Sequence, residues 1–102
     1  FVSFAQKIPE QIAKKATAVS EYITAEMNFD ENQKKDIYII LSEKYDSNRK
    51  KIRGKDLSSE EKLKIYKASF NETKNNLLKK FTMKEVNMIN KLHRTWQQNN
   101  KK

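Results

Sequence analysis

Few residues in this sequence could perform covalent chemistry, and they are poorly placed for it. His93 is the only histidine, and there is no cysteine. A metal centre needs several His, Cys or carboxylate ligands converging, and a nucleophilic site needs a base beside an activated hydroxyl or thiol. His93 falls on or beside an apolar helical stripe, where a partly buried or flanking histidine is the simpler reading. Gly54 is the only glycine, so a glycine-rich phosphate loop is excluded. Glu60 and Glu61 are adjacent, point to different sides of a helix, and suit the positive end of a helix dipole better than paired acid–base work. The sequon Asn71-Glu72-Thr73 fits a glycosylation acceptor and reads more simply as a chance match. The residue types argue against an enzyme, a metal site or a cofactor.

They argue better for binding. Lys and Arg total 22 against 13 Asp and Glu, a formal net charge of +9. Such a balance favours anionic partners: nucleic acid, membrane headgroups or acidic protein surfaces. The densest basic run is Arg49-Lys50-Lys51-Ile52-Arg53-Gly54-Lys55. It either complements the negative end of a helix dipole or forms a patch that attracts anionic chains. A second feature is Ile37-Tyr38-Ile39-Ile40-Leu41, with Tyr45 seven positions after Tyr38. At about 100° per residue these five apolar side chains encircle a helix. They need either two neighbouring helices or an intermolecular contact.

The elements that must position these residues are helical. With one Gly and one Pro in 102 residues, the chain cannot supply the turns of an all-β protein. The composition predicts an all-α fold of four helices in one domain over residues 7–98. Pro9 opens the first helix, whose stripe is Ile12, Ala16, Val19, Ile23 and Met27, and Asn28 ends it. Asp30 caps a second helix over about Glu31–Arg53, with Ile37, Leu41, Tyr45 and Ile52 on one face and Gly54 in the left-handed position after it. Ser58 or Ser59 caps a third, with Leu63, Tyr66, Phe70, Leu77 and Phe81 as its apolar face. Thr82 caps a fourth, carrying Val86, Ile89, Leu92 or His93, and Trp96. Residues 99–102 form a frayed tail. No apolar stretch approaches the roughly 20 residues that span a bilayer.

Three helix starts share one spelling: Phe29-Asp30-Glu31-Asn32-Gln33, Leu57-Ser58-Ser59-Glu60-Glu61 and Phe81-Thr82-Met83-Lys84-Glu85. Each combines an apolar staple residue with a capping box. Gln33-Lys34-Lys35-Asp36-Ile37-Tyr38 and Glu61-Lys62-Leu63-Lys64-Ile65-Tyr66 continue alike, a degenerate internal repeat.

On these residues the chain resembles the Spy/CpxP-like periplasmic proteins, whose Leu-Thr-x-x-Gln motifs open long helices. The resemblance runs from about Thr24 to Trp96, with Phe29, Asp30 and Gln33, and Phe81, Thr82 and Glu85, at the motif positions. Phe stands for Leu in both, Asp for Thr in the first and Glu for Gln in the last. The resemblance implies a secreted, ATP-independent binding protein in an elongated antiparallel hairpin arrangement, paired as a homodimer, that holds unfolded or envelope proteins. Phe1-Val2-Ser3-Phe4-Ala5-Gln6 looks like the end of a secretory signal, with Ser3 and Ala5 flanking a cleavage before Gln6, or else a disordered start.

On this reading Lys34, Lys35, Arg49, Lys50, Lys51, Arg53 and Lys55 attract the client, and Tyr38, Ile39, Ile40 and Tyr45 give apolar contact. The lone His93 disfavours the metal-binding branch of the family. Two rivals stand beside it. One is a basic helical nucleic-acid-binding protein, although no helix carries a uniformly basic face. The other is a helical adaptor for one specific protein partner.

Overall fold

A computed structural model describes residues 8–100. The signal-like segment Phe1–Gln6 and the last two lysines lie outside the described residues. Four α-helices and no strand occur among those residues: α1 (Glu10–Met27), α2 (Glu31–Ile52), α3 (Ser59–Leu78) and α4 (Met83–Asn99).

The helix starts are built as their spelling predicts. Asp30, Ser58 and Thr82 each accept a hydrogen bond from the backbone N–H three residues on, while Gln33, Glu61 and Glu85 accept from the cap N–H in return. Each box satisfies two backbone donors that a helix start leaves free. The stops are equally local. Asn28 (φ 57°) and Gly54 (φ 73°) hold the left-handed conformation that ends a helix and that other residues adopt at a cost. Pro9 sits at the cap position, one residue before the helix proper. At the far end α4 runs through Asn99, and Asn100 returns its N–H and its side-chain amide to the Trp96 carbonyl. Of the tail expected to fray, residues 99–102, Asn99 is helical and Asn100 is the cap residue.

The helices close on one another in a ring: α1 packs on α2 and α4, and α3 on α2 and α4. Ala16, Val19, Ile23, Ile37, Leu41, Leu77, Val86 and Ile89 form the solvent-free centre. The apolar run on α2 is resolved by this placement. Ile37, Ile40 and Leu41 enter the core, Tyr38 packs at its margin and Ile39 is half-buried, because α2 lies against two helices at once.

One end of the ring is shut. Phe29, before α2, stacks on Phe81, before α4, with ring centroids 5.3 Å apart. The two staple residues therefore join separate helix connections. α3 departs from expectation over residues 63–70: Leu77 is buried and so is Phe81, just beyond the helix, but Leu63, Tyr66 and Phe70 remain 52%, 50% and 42% exposed. Only Ser69, Thr73 and Leu77 of α3 are buried. The stripe that periodicity assigns to the core is thus half uncovered, because small Ser69 and Thr73 take the inward positions.

Candidate binding cleft at the open end of the bundle

The uncovered stripe forms one wall of a cleft of about 920 Å³. Gln11, Ile12 and Lys15 come from the start of α1, and Lys44, Tyr45, Asn48, Arg49 and Ile52 from the second half of α2 with Arg53 just after it. Tyr66 and Phe70 come from α3, and Gln97 from the end of α4. The volume lies in the range of small-ligand and peptide-side-chain pockets. No carboxylate lines it, whereas four cations do.

The back of the cleft is set by Tyr45. Its hydroxyl lies 2.6 Å from His93 Nε2 in a buried contact that ties α2 to α4. With the histidine proton on Nδ1, the phenol donates and Nε2 accepts. Burial pushes the Tyr45 phenol well above its usual range, so it remains protonated and able to donate. Burial also pulls His93 down to about 3, and the nearby positive charges of Lys44 and Lys15 add to the effect. His93 is therefore a neutral acceptor at ordinary pH. The sequence places it on or beside the stripe; the structure makes it a structural tie behind the cleft.

The front is cationic. Lys15 Nζ sits 4.4 Å from the centroid of the Tyr45 ring, a cation–π contact worth roughly 0.5–1 kcal/mol at an exposed site. Lys44 stands beside Tyr45 in the chain and is half-buried. Both ammonium groups are held below the ordinary lysine value, Lys15 by burial and Lys44 by burial and then by the charge of Lys15. Neither makes an ion pair among the described residues, where the bridges are Lys14–Glu10, Lys34–Glu31, Arg49–Asp46 and Lys50–Asp46. Asp46, with Arg49 at 3.0 Å and Lys50 at 3.1 Å, neutralises part of the adjacent basic run. Burial works against ionising Asp46, yet its hydrogen bonds and charge contacts with Arg49 and Lys50 win and hold its carboxyl below its usual value.

The residues that the sequence nominates for client contact do not form one surface. Arg49 and Arg53 line the cleft, and Tyr45 closes its back. Lys50, Lys51 and Lys55 are exposed near its rim in sequence but do not line it. Lys34, Lys35 and Tyr38 instead line a smaller groove of about 400 Å³ between α1 and α2, together with Glu21 and Glu31. Fifteen positions separate Lys34 from Arg49, roughly 22 Å along a helix. Ile40 and Tyr45 are 8% and 9% exposed and pack in the core, and Ile40 also lines a separate groove of about 300 Å³ between α2 and α3. Ile39 remains half-buried and lines neither space. The motif residues Phe29, Asp30, Gln33, Phe81, Thr82 and Glu85 are occupied in capping and stacking.

Sequence reasoning missed Lys15, Lys44 and Gln97, and placed Tyr66 and Phe70 in the core. A signal for Lys44 exists: it falls three residues after Leu41 and seven after Ile37, on the face that is otherwise apolar. A lysine at a core-facing register is held there against its own desolvation and marks a cleft or a partner.

Comparison of the chain with protein-family models, with curated proteins and with solved structures finds no match. The cleft is therefore interpreted from its own chemistry. Among the described residues, no group of three or more His, Cys, Asp or Glu is placed to hold a metal ion, and no helix is long and apolar enough to cross a membrane.

Proposed function

We propose that this protein is a non-enzymatic binding protein that holds extended, unfolded protein segments in the cleft at the open end of its helix ring. The observation that carries this reading is the juxtaposition of cations without carboxylates and an uncovered aromatic wall, Tyr66 and Phe70. Charge speeds encounter, and apolar contact holds the segment once it arrives. Exposed Leu63 extends the wall along α3.

The Spy/CpxP-like resemblance, with its periplasmic setting and unfolded or envelope clients, belongs to this proposal. Three complete capping boxes support it as local structure. The antiparallel hairpin arrangement is favoured by the short helix connections and by the cleft, which gathers the starts of α1 and α3 with the ends of α2 and α4. Pairing of two chains is the competing use of the Leu63–Tyr66–Phe70 stripe, since exposed apolar patches mark interaction surfaces. The mass of the free protein in solution separates the two uses.

The test is light scattering from a chemically unfolded client at equimolar ratio. Aggregation is expected to be delayed, and delayed less at high ionic strength, where attraction between exposed charges is screened. Aggregation that proceeds unchanged for several unrelated clients would remove the holding function and leave the fold alone standing.

A further inference from the structure

The unpaired lysines of the cleft say more than that it is basic. Lys15 from α1, 4.4 Å from the centroid of the Tyr45 ring, and Lys44 from α2 line the same cleft, near enough for the charge of Lys15 to disfavour that of Lys44. Neither has a carboxylate partner among the described residues, and Arg53 is likewise unpaired there. Two like charges beside a low-dielectric wall raise the energy of the free protein. An anion placed between them relieves both the repulsion and the desolvation. The neighbouring groups do not supply that anion. Asp46 is committed to Arg49 and Lys50, and His93 behind the ring is neutral. Glu43 and Glu72 lie in a separate groove along α2 and α3, whose wall Lys44 shares, and neither forms an ion pair with it.

We propose that Lys15, over the ring of Tyr45, and Lys44, beside it on the same cleft wall, form a carboxylate-receiving subsite. The preferred occupant of the cleft is then an extended peptide segment carrying Asp or Glu beside an aromatic side chain. The acidic group lies between the two ammonium groups, with Arg53 at the mouth. The neighbouring apolar side chain lies against Tyr66 and Phe70, which are 50% and 42% exposed in the free protein. The rim residues Gln11, Arg53 and Gln97 are exposed, so the cleft is open and lets a chain pass through it. An internal segment therefore fits, and no free terminus is required. This inference rests on the binding function proposed above and narrows it to a class of segment.

The experiment uses the full chain and fluorescently labelled synthetic peptides with blocked ends. One peptide contains Glu-Phe pairs separated by Gly, a second replaces every Glu with Gln, and a third replaces every Phe with Gly. Fluorescence anisotropy should show the Glu-Phe peptide binding about tenfold more tightly than the Gln-Phe peptide, the size expected for one well-placed charge contact. In the variant Lys15→Gln/Lys44→Gln that preference should disappear, while the preference for Phe over Gly remains. Both lysines line the cleft, and the melting temperature of the variant is expected to be no lower than that of the parent, because the repulsion between the two ammonium groups is removed. A second variant, Lys50→Gln/Lys51→Gln, removes the same amount of charge outside the cleft and should keep the preference.

Equal binding of the Glu and Gln peptides overturns the subsite. So does a preference that survives in Lys15→Gln/Lys44→Gln, or one lost equally in Lys50→Gln/Lys51→Gln, which makes it a property of net charge. If no peptide binds while unfolded clients are still held, the subsite falls and the holding function stands. If the Glu-Phe preference is found but client aggregation is unaffected, the subsite stands and the holding function falls.

Discussion

The protein is expected to lose stability, on the order of 1 kcal/mol per pH unit, as pH falls from 6.5 to about 3, through His93. An unfolded chain takes up a proton at this histidine near pH 6.5, whereas the folded protein refuses it until about pH 3. Between those values the unfolded state binds one proton more, so acid favours unfolding. Above pH 6.5 the contribution is complete. The full window corresponds to something on the order of 5 kcal/mol, a large part of what holds a small domain together.

The physical cause is threefold: burial, the positive charge of Lys44 and that of Lys15. Protonation would also give Nε2 a hydrogen where it now accepts the Tyr45 hydroxyl. Asp46 adds a loss of the same direction at lower pH, since its depressed pKa withdraws stability only as pH falls below 3.8. Urea unfolding between about pH 7 and pH 4 isolates the histidine. Replacing both partners, Tyr45→Phe with His93→Leu, should flatten the pH dependence in that window, because no buried group is left to refuse a proton. Tyr45→Phe alone should cost about 1–3 kcal/mol at neutral pH by orphaning the His93 acceptor. A double variant as acid-sensitive as the parent would show that His93 is not the group responsible.

The second large effect lies at the opposite, shut end. Phe81→Ala should cost about 3–5 kcal/mol, the range for removing a buried phenylalanine. Phe81 is 6% exposed, stacks on Phe29 and precedes the Thr82 capping box. Its loss opens a cavity and frees two helix connections from each other. Phe29→Ala should cost less, because that ring is only half-buried. The urea midpoint measures both, and a Phe81→Ala loss under about 1 kcal/mol would mean the ring end is held by other contacts.

These two predictions show where the sequence was legible. Helix starts and stops depend on residues within one turn of each other, so Asp30, Ser58, Thr82, Asn28 and Gly54 could be read one at a time. The stripes of α1 and α4 were also readable, because Val19, Ile23, Val86 and Ile89 all face one centre. Phe29 and Phe81 could each be recognised as staples, but their stacking depends on how two distant connections meet. The stretch 63–70 of α3 fails for a similar reason. Periodicity says that Leu63, Tyr66 and Phe70 share a face with Leu77, but not whether a neighbour extends far enough to cover them. Small Ser69 and Thr73 won the inward positions instead.

The candidate site was the least legible part. Charge runs are conspicuous in a sequence, so Arg49–Lys55 drew attention, whereas much of that charge is solvated or paired with Asp46. Lys15 and Lys44 lie outside the dense basic run and are brought to one cleft only by the packing of α1 on α2. The solitude of His93 argues for a partly buried or flanking histidine, but its partner Tyr45 lies 48 positions away and is not legible.

The most direct test of the central claim, that the cleft is where the protein holds its clients, is a map of backbone amide resonances during titration with an unfolded client. Shifts are expected to concentrate at Gln11–Lys15, Lys44–Arg53, Tyr66–Phe70 and Gln97, with the Phe29–Phe81 end unmoved. Shifts confined instead to the Lys34–Tyr38 groove, or spread evenly over every lysine-rich surface, would contradict that claim.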